Sequence, residues 1–163
     1  MGWRAQPTAQ VIMDKCSTPA ENLLGNEGDG FHYAMMGLDG GRLNIAAAAL
    51  GGAQAAYEKA LTYSNERKAF GRPIDKFQSV QFKIADMYTS LEVARTFLRQ
   101  AAWKLDTKTA DATRACAMAK RYVTDVCFNV ANEALQIHGG YGYLTDYGIC
   151  LLYTSPSPRD TNE

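Results

Sequence analysis

The sequence predicts an all-α, up-down helical bundle preceded by a remnant β-strand, and three observations carry that prediction. The chain reads as helical from Phe31 to about Ile137, with 3,4 apolar spacing clearest in its second helix, the breaks between the helices are short, and one isolated β-prone run precedes them. A chain of 163 residues is the size of one ordinary domain.

The β-prone run is Gln6 to Asp14 (QPTAQVIMD), followed by Pro19 and then by Gly25, Gly28 and Gly30, which punctuate a loop. A lone strand is not stable by itself, so this run reads as the end of a sheet whose other strands are missing. The first helix is expected over Phe31 to Arg67. Its middle, LNIAAAALGGAQAAY, has no charge on any face and is expected to be buried all round. Gly71 and Pro73 separate it from a second helix. There Phe77, Val80, Ile84, Met87, Leu91, Ala94, Leu98, Ala101 and Leu105 draw one stripe along about 30 residues. Asp106-Thr107-Lys108 forms the next break. A third helix then starts from Thr109 as N-cap, with Ala115, Ala119, Tyr122, Val126, Val130, Ala134 and Ile137 on one side, and Gly139-Gly140 stops it. The tail from Leu151 to Glu163 loses the helical period and gains two Ser-Pro steps.

Composition narrows the function classes. Seventeen basic against seventeen acidic side chains give no basic excess for nucleic acid. The longest apolar stretch, Leu43 to Tyr57, is too short to span a bilayer, and the first residues show no signal peptide, so a secreted protein is not expected. Cys16, Cys116, Cys127 and Cys150 include no CxxC. Cys116 and Cys127 on one helix would lie about 16 Å apart, so free and mostly buried thiols are expected. With two histidines in the chain, no metal site is expected.

Serine-hydrolase, P-loop, zincin and dinucleotide-fingerprint motifs do not occur. Three small constellations remain. Asp39 and Arg42 share a helix face, as an intrahelical ion pair or as ligand anchors. Arg67, with Phe77 and Gln78 just past the turn, puts a guanidinium, an aromatic and an amide near one junction. That set suits a phosphate, although a basic residue at a helix C-terminus also complements the dipole. Gln136-Ile137-His138-Gly139-Gly140 allows close backbone approach to a ligand or serves as a plain glycine cap, with His138 a structural histidine rather than a catalyst.

In this order and spacing, the blocks GNEGDGF, LDGGRLNIAAAALGGAQAA, ERKAFGRPIDKFQSVQFKIADM and ALQIHGGYGYLTDY resemble the carboxy-terminal part of an acyl-CoA dehydrogenase, from about Trp3 to Tyr147. The LDGGRLNIA wording most resembles the isobutyryl and short branched-chain members. The resemblance implies that residues 1–30 are the end of a middle β-domain and its linker. Residues 31–150 would be an incomplete carboxy-terminal bundle, and 151–163 a tail outside the family pattern, disordered or foreign to the domain. It further implies a homotetrameric FAD enzyme that dehydrogenates a short or branched acyl-CoA and passes electrons to an electron-transferring flavoprotein. The compartment would be the bacterial cytoplasm or the mitochondrial matrix.

Residue by residue, the resemblance places Asp39, Gly40, Gly41 and Arg42 at the acyl-CoA. It places Arg67, Phe77, Gln78, Gln136, Ile137, His138, Gly139 and Gly140 at FAD, partly at a neighbouring subunit's flavin. It transfers no catalytic residue. Gly41 stands where some relatives carry the base, and the slot used by others falls at Glu163, whose flanks do not match. An inactive fragment is therefore expected. The rival reading is a helical oligomerisation or binding module without chemistry.

Overall fold

The computed structural model describes residues 9–150. Three long helices make the fold: α1 (Gly30–Glu66), α2 (Gln78–Asp106) and α3 (Ala112–His138). All three pack against one another. Cross-helix contacts set their directions. Arg95 of α2 donates to Gln54 of α1 (2.8 Å), and Tyr57 meets Tyr88 with ring centroids 5.8 Å apart, so α2 runs against α1. Lys83, near the start of α2, pairs with Glu133, near the end of α3. Thr113 reaches Asp39 and His138 reaches Tyr63, so α1 and α3 run parallel. The bundle is up-down-up, as short connections require.

The stripe along α2 faces inward: Met87, Leu91, Ala94 and Ala101 are buried and its other members half-buried. Leu91 sits at the centre of a core that joins Ala46, Leu50, Ala53, Ala56 and Ala60 of α1 to Val123, Cys127, Val130 and Ala134 of α3. Methyl-sized side chains on α1 let neighbouring axes approach closely.

Several expectations are corrected. The middle of α1 is not buried all round. Ala46, Leu50, Ala53 and Ala56 face the core, while Ile45, Ala47, Ala48 and Gly51 are exposed, because two neighbours can cover only part of a cylinder. On α3, Tyr122 is exposed, and Val123 and Cys127 take the inward positions. Thr109 does not cap α3. The residue before its first turn is Asp111, whose carboxylate accepts from Thr109 Oγ1 at 2.9 Å and from Lys104 Nζ at 2.5 Å.

Residues 9–13 are exposed and form no strand, since no partner for their backbone lies within the described residues; Gln6 to Thr8 lie outside them. Cys16, on the same uncovered stretch, is an exposed thiol, unlike the buried Cys116 and Cys127. The tail expected over residues 151–163 also lies outside the described residues.

A small sheet appears instead at the α1–α2 junction. Strands β1 (Lys68–Ala69) and β2 (Arg72–Pro73) pair antiparallel, with Ala69 opposite Arg72. The two-residue turn between them, Phe70 (φ 51°) and Gly71 (φ 80°), has both residues left-handed, as this hairpin type demands. The Ile74 N–H donates to the Arg67 carbonyl at 2.8 Å and closes its base.

Candidate functional site

The end of the bundle where α1 finishes, α2 begins and α3 finishes holds a cleft of about 480 Å³. Arg67, Ile137, His138, Gly139 and Gly140 line it, together with Tyr63, Ile74, Tyr141 and Leu144. Five of the eight residues expected at a cofactor therefore meet in one concavity.

The chain builds this cleft locally. Gly139 takes φ 56°, ψ −136°, a conformation reserved for glycine, and so turns the chain off α3 into the 3-10 segment Gly139–Tyr143. That reversal brings Tyr141 back to α1, where the Arg67 guanidinium lies 5.1 Å from its ring centroid. A cation over an aromatic face is held without losing its charge. Tyr63, one turn before Arg67 and so on the same face, stacks on His138 with centroids 4.3 Å apart and planes at 21°. Tyr147 meets both rings edge-on, and Lys59 Nζ donates to its carbonyl at 3.3 Å, which ties the segment after α3 to α1.

His138 is buried, and its Nδ1 lies 2.8 Å from the Ala134 carbonyl. Burial, assisted by Lys59, holds its pKa below the ordinary histidine value, against the opposing pull of that hydrogen bond. The ring is neutral near pH 7. Burial also raises the Tyr63 phenol above its usual range, so it too is uncharged there. Arg67 is thus the cation of this cleft, beside open glycine backbone and aromatic faces, and such a set accepts an anionic group next to a flat or polyhydroxylated one.

Three expected residues stand beside the cleft rather than in it. Phe77 lies under the Arg72 guanidinium (4.3 Å to its centroid) and against Phe70, and so props the hairpin. Gln78 is the exposed first residue of α2, and Gln136 is exposed on α3. Tyr63 and Tyr141 were not singled out as site residues from sequence. Tyr63 had a signal in its four-residue spacing from Arg67, whereas Tyr141 depends on the reversal at Gly139.

Asp39 and Arg42 are elsewhere. Asp39 is buried, and one oxygen accepts from Arg42 Nη1 (2.6 Å) while the other accepts from Thr113 Oγ1 (2.6 Å). Arg42 is partly exposed, Gly40 half-buried and Gly41 exposed. At 1.5 Å per residue, Asp39 and Arg67 lie about 42 Å apart along α1, too far for one small ligand of one chain.

The chain is thus a three-helix domain, its first and third helices parallel and its second antiparallel to both, with a cleft at one end. The chain belongs to the acyl-CoA dehydrogenase family: the description "Acyl-CoA dehydrogenase, C-terminal domain" matches residues 28–155. The mitochondrial isobutyryl-CoA dehydrogenase of Bos taurus is 47% identical over 149 residues, covering 91% of this chain and 36% of that protein. The structure of butyryl-CoA dehydrogenase from Megasphaera elsdenii matches with a TM-score of 0.79 and 49% identity, over 83% of this chain and 35% of the other. A chain in a structure described as the electron transferring flavoprotein of Acidaminococcus fermentans matches with a TM-score of 0.83 and 47% identity, over 87% and 37%. This chain thus spans little more than a third of the relatives it matches.

Proposed function

We propose that this chain supplies the carboxy-terminal helical domain of an FAD-dependent acyl-CoA dehydrogenase acting on a short or branched acyl-CoA. The observation that carries the reading is the cleft in which Arg67, Gly139 and Gly140 converge beside Tyr63 and Tyr141. A diphosphate asks for a fixed cation and room for close approach, and Arg67 beside the side-chain-free Gly139 and Gly140 offers both. Gln78, Phe77 and Gln136 flank the cleft at the same end and extend the surface on which a dinucleotide would lie. Bound flavin would take the hydride from the acyl chain; the chain's own residues here bind and orient.

At the other end, Arg42 is the group presented to the acyl-CoA, and Asp39 and Thr113 hold it there. Because the two sets lie about 42 Å apart along α1, the reading requires that subunits share sites. Exposed Ile45, Val93, Trp103 and Met118 give a homo-oligomer apolar surface to bury. An electron-transferring flavoprotein as redox partner is supported by the Acidaminococcus match. The compartment follows the relatives, mitochondrial in the bovine protein. Among the described residues no helix is long and apolar enough to cross a membrane.

The test is titration of the full chain with FAD, followed by fluorescence. Arg67→Ala is expected to weaken binding about tenfold or more, the scale of one charge-assisted contact, while circular dichroism stays unchanged. FAD binding that ignores Arg67 removes the assignment. A folded chain that binds no FAD favours the rival helical binding module.

A further inference from the structure

We infer that Nε2 of His138 is a hydrogen-bond acceptor for a sugar hydroxyl of the ligand whose phosphate Arg67 holds; the inference rests on the flavin reading above and assigns one atom of that site. The Ala134 carbonyl can only accept, so at 2.8 Å the proton of the neutral ring sits on His138 Nδ1. Nε2 then carries a bare lone pair, with no hydrogen-bond partner among the described residues. His138 is only 4% exposed. Yet among the described residues the polar side-chain atom that is both sealed from solvent and unpartnered is Asp75 Oδ1. Nε2 is therefore not sealed, and the open space that His138 borders is the cleft with Arg67, Gly139 and Gly140.

The stack of Tyr63 on one face and the edges of Tyr147 fix the plane of the ring, so the lone pair keeps its direction. A nearly buried acceptor left unmatched costs free energy, and a ligand that supplies a donor there recovers it. Next to a guanidinium, the group that matches both is a hydroxyl adjoining a phosphate, as in a sugar phosphate. An acyl chain offers neither the anion nor the donor.

Two isosteres separate the nitrogens. His138→Asn keeps an amide near Nδ1 and deletes Nε2; His138→Gln puts an amide oxygen near the place of Nε2. In the full chain titrated with FAD, His138→Asn is expected to raise Kd about tenfold and His138→Gln by less than about twofold, one hydrogen bond's worth of difference. Equal weakening in both variants, or none in either, overturns the inference.

A second measurement needs no variant. On saturation with FAD, the 15N resonance of His138 Nε2 in the wild-type chain should move upfield, with exposed His32 as the internal reference. A resonance that stays in place overturns the inference as well. ADP in place of FAD assigns the sugar: the same variant ratio with ADP places the hydroxyl on the ribose, and a ratio seen with FAD alone places it on the ribityl chain. Either result supports the acceptor. If Arg67→Ala leaves FAD binding unchanged, or the wild type binds none, the flavin reading itself fails and this inference with it. Loss on Arg67→Ala with His138→Asn equal to His138→Gln sinks the inference alone.

Discussion

Asp39 uses both carboxylate oxygens inside the protein, and that decides what its substitution would do. Removing it leaves the Thr113 hydroxyl and the inward side of Arg42 unmatched at a buried seam between α1 and α3. Asp39→Ala is expected to lower stability by about 2 kcal/mol and Asp39→Asn by less, since an amide oxygen can still accept from one partner. Urea unfolding of the three proteins measures this, and equal midpoints would mean that the seam contributes nothing. The ion-pair reading of these two residues was legible in their three-residue spacing. Thr113 was not, because 74 positions separate it from Asp39 and only the parallel packing of α1 and α3 brings them together. His138 shows the same limit. Its sequence neighbours mark a helix end, while its stacking partner, Tyr63, comes from the other helix that finishes at that corner.

Helices were legible where one face carries the signal and obscure where every face is apolar. The α2 stripe named its own inward side, whereas the alanines of α1 left that choice to packing, and the structure buries Ala46, Ala53, Ala56 and Ala60 while exposing Ala47 and Ala48. The hairpin between α1 and α2 was hidden because two-residue strands have no period, and because Phe70 occupies a left-handed position that Asn or Gly usually fills. The stop at Gly139 was legible as a cap, but its further consequence was not: φ 56° with ψ −136° aims Gly140 and Tyr141 back over α1. A Cβ at Gly139 would meet no atom within 4 Å, so the cost of Gly139→Ala is conformational alone. The variant is expected to lose about 1–3 kcal/mol in chemical denaturation and to weaken FAD binding, because the strain is relieved by moving the cleft wall. Unchanged stability would show that the backbone there tolerates a side chain and that the turn does not set the cleft.

Across the whole molecule, buried titratable groups set the pH range in which the bundle is stable. The folded-state pKa of His138 lies below its ordinary 6.5, through burial first, so its contribution is intact above about 6.5 and is lost as pH falls through that lowered value. At the other limb, burial pushes the Cys127 thiol from 9.0 up to about 11. A raised thiol pKa disfavours ionisation in the folded state, so this contribution is intact below 9 and is lost as pH rises toward 11. Cys116, Tyr57 and Tyr63 are raised too, each chiefly by burial, and act in the same direction. Unfolding midpoints should therefore form a plateau between about pH 6.5 and 9 and fall on both sides. Cys127→Ala should flatten the alkaline limb while lowering the plateau, since it also removes a sulfur from the core shared by α1, α2 and α3. Both proteins losing stability equally between pH 9 and 11 would show that the alkaline limb belongs to the other thiol and the tyrosines. The acid limb has its own control in His138→Gln, which cannot ionise: a wild-type midpoint that falls below pH 6.5 while the variant's holds would place the loss at the corner that also forms the cleft.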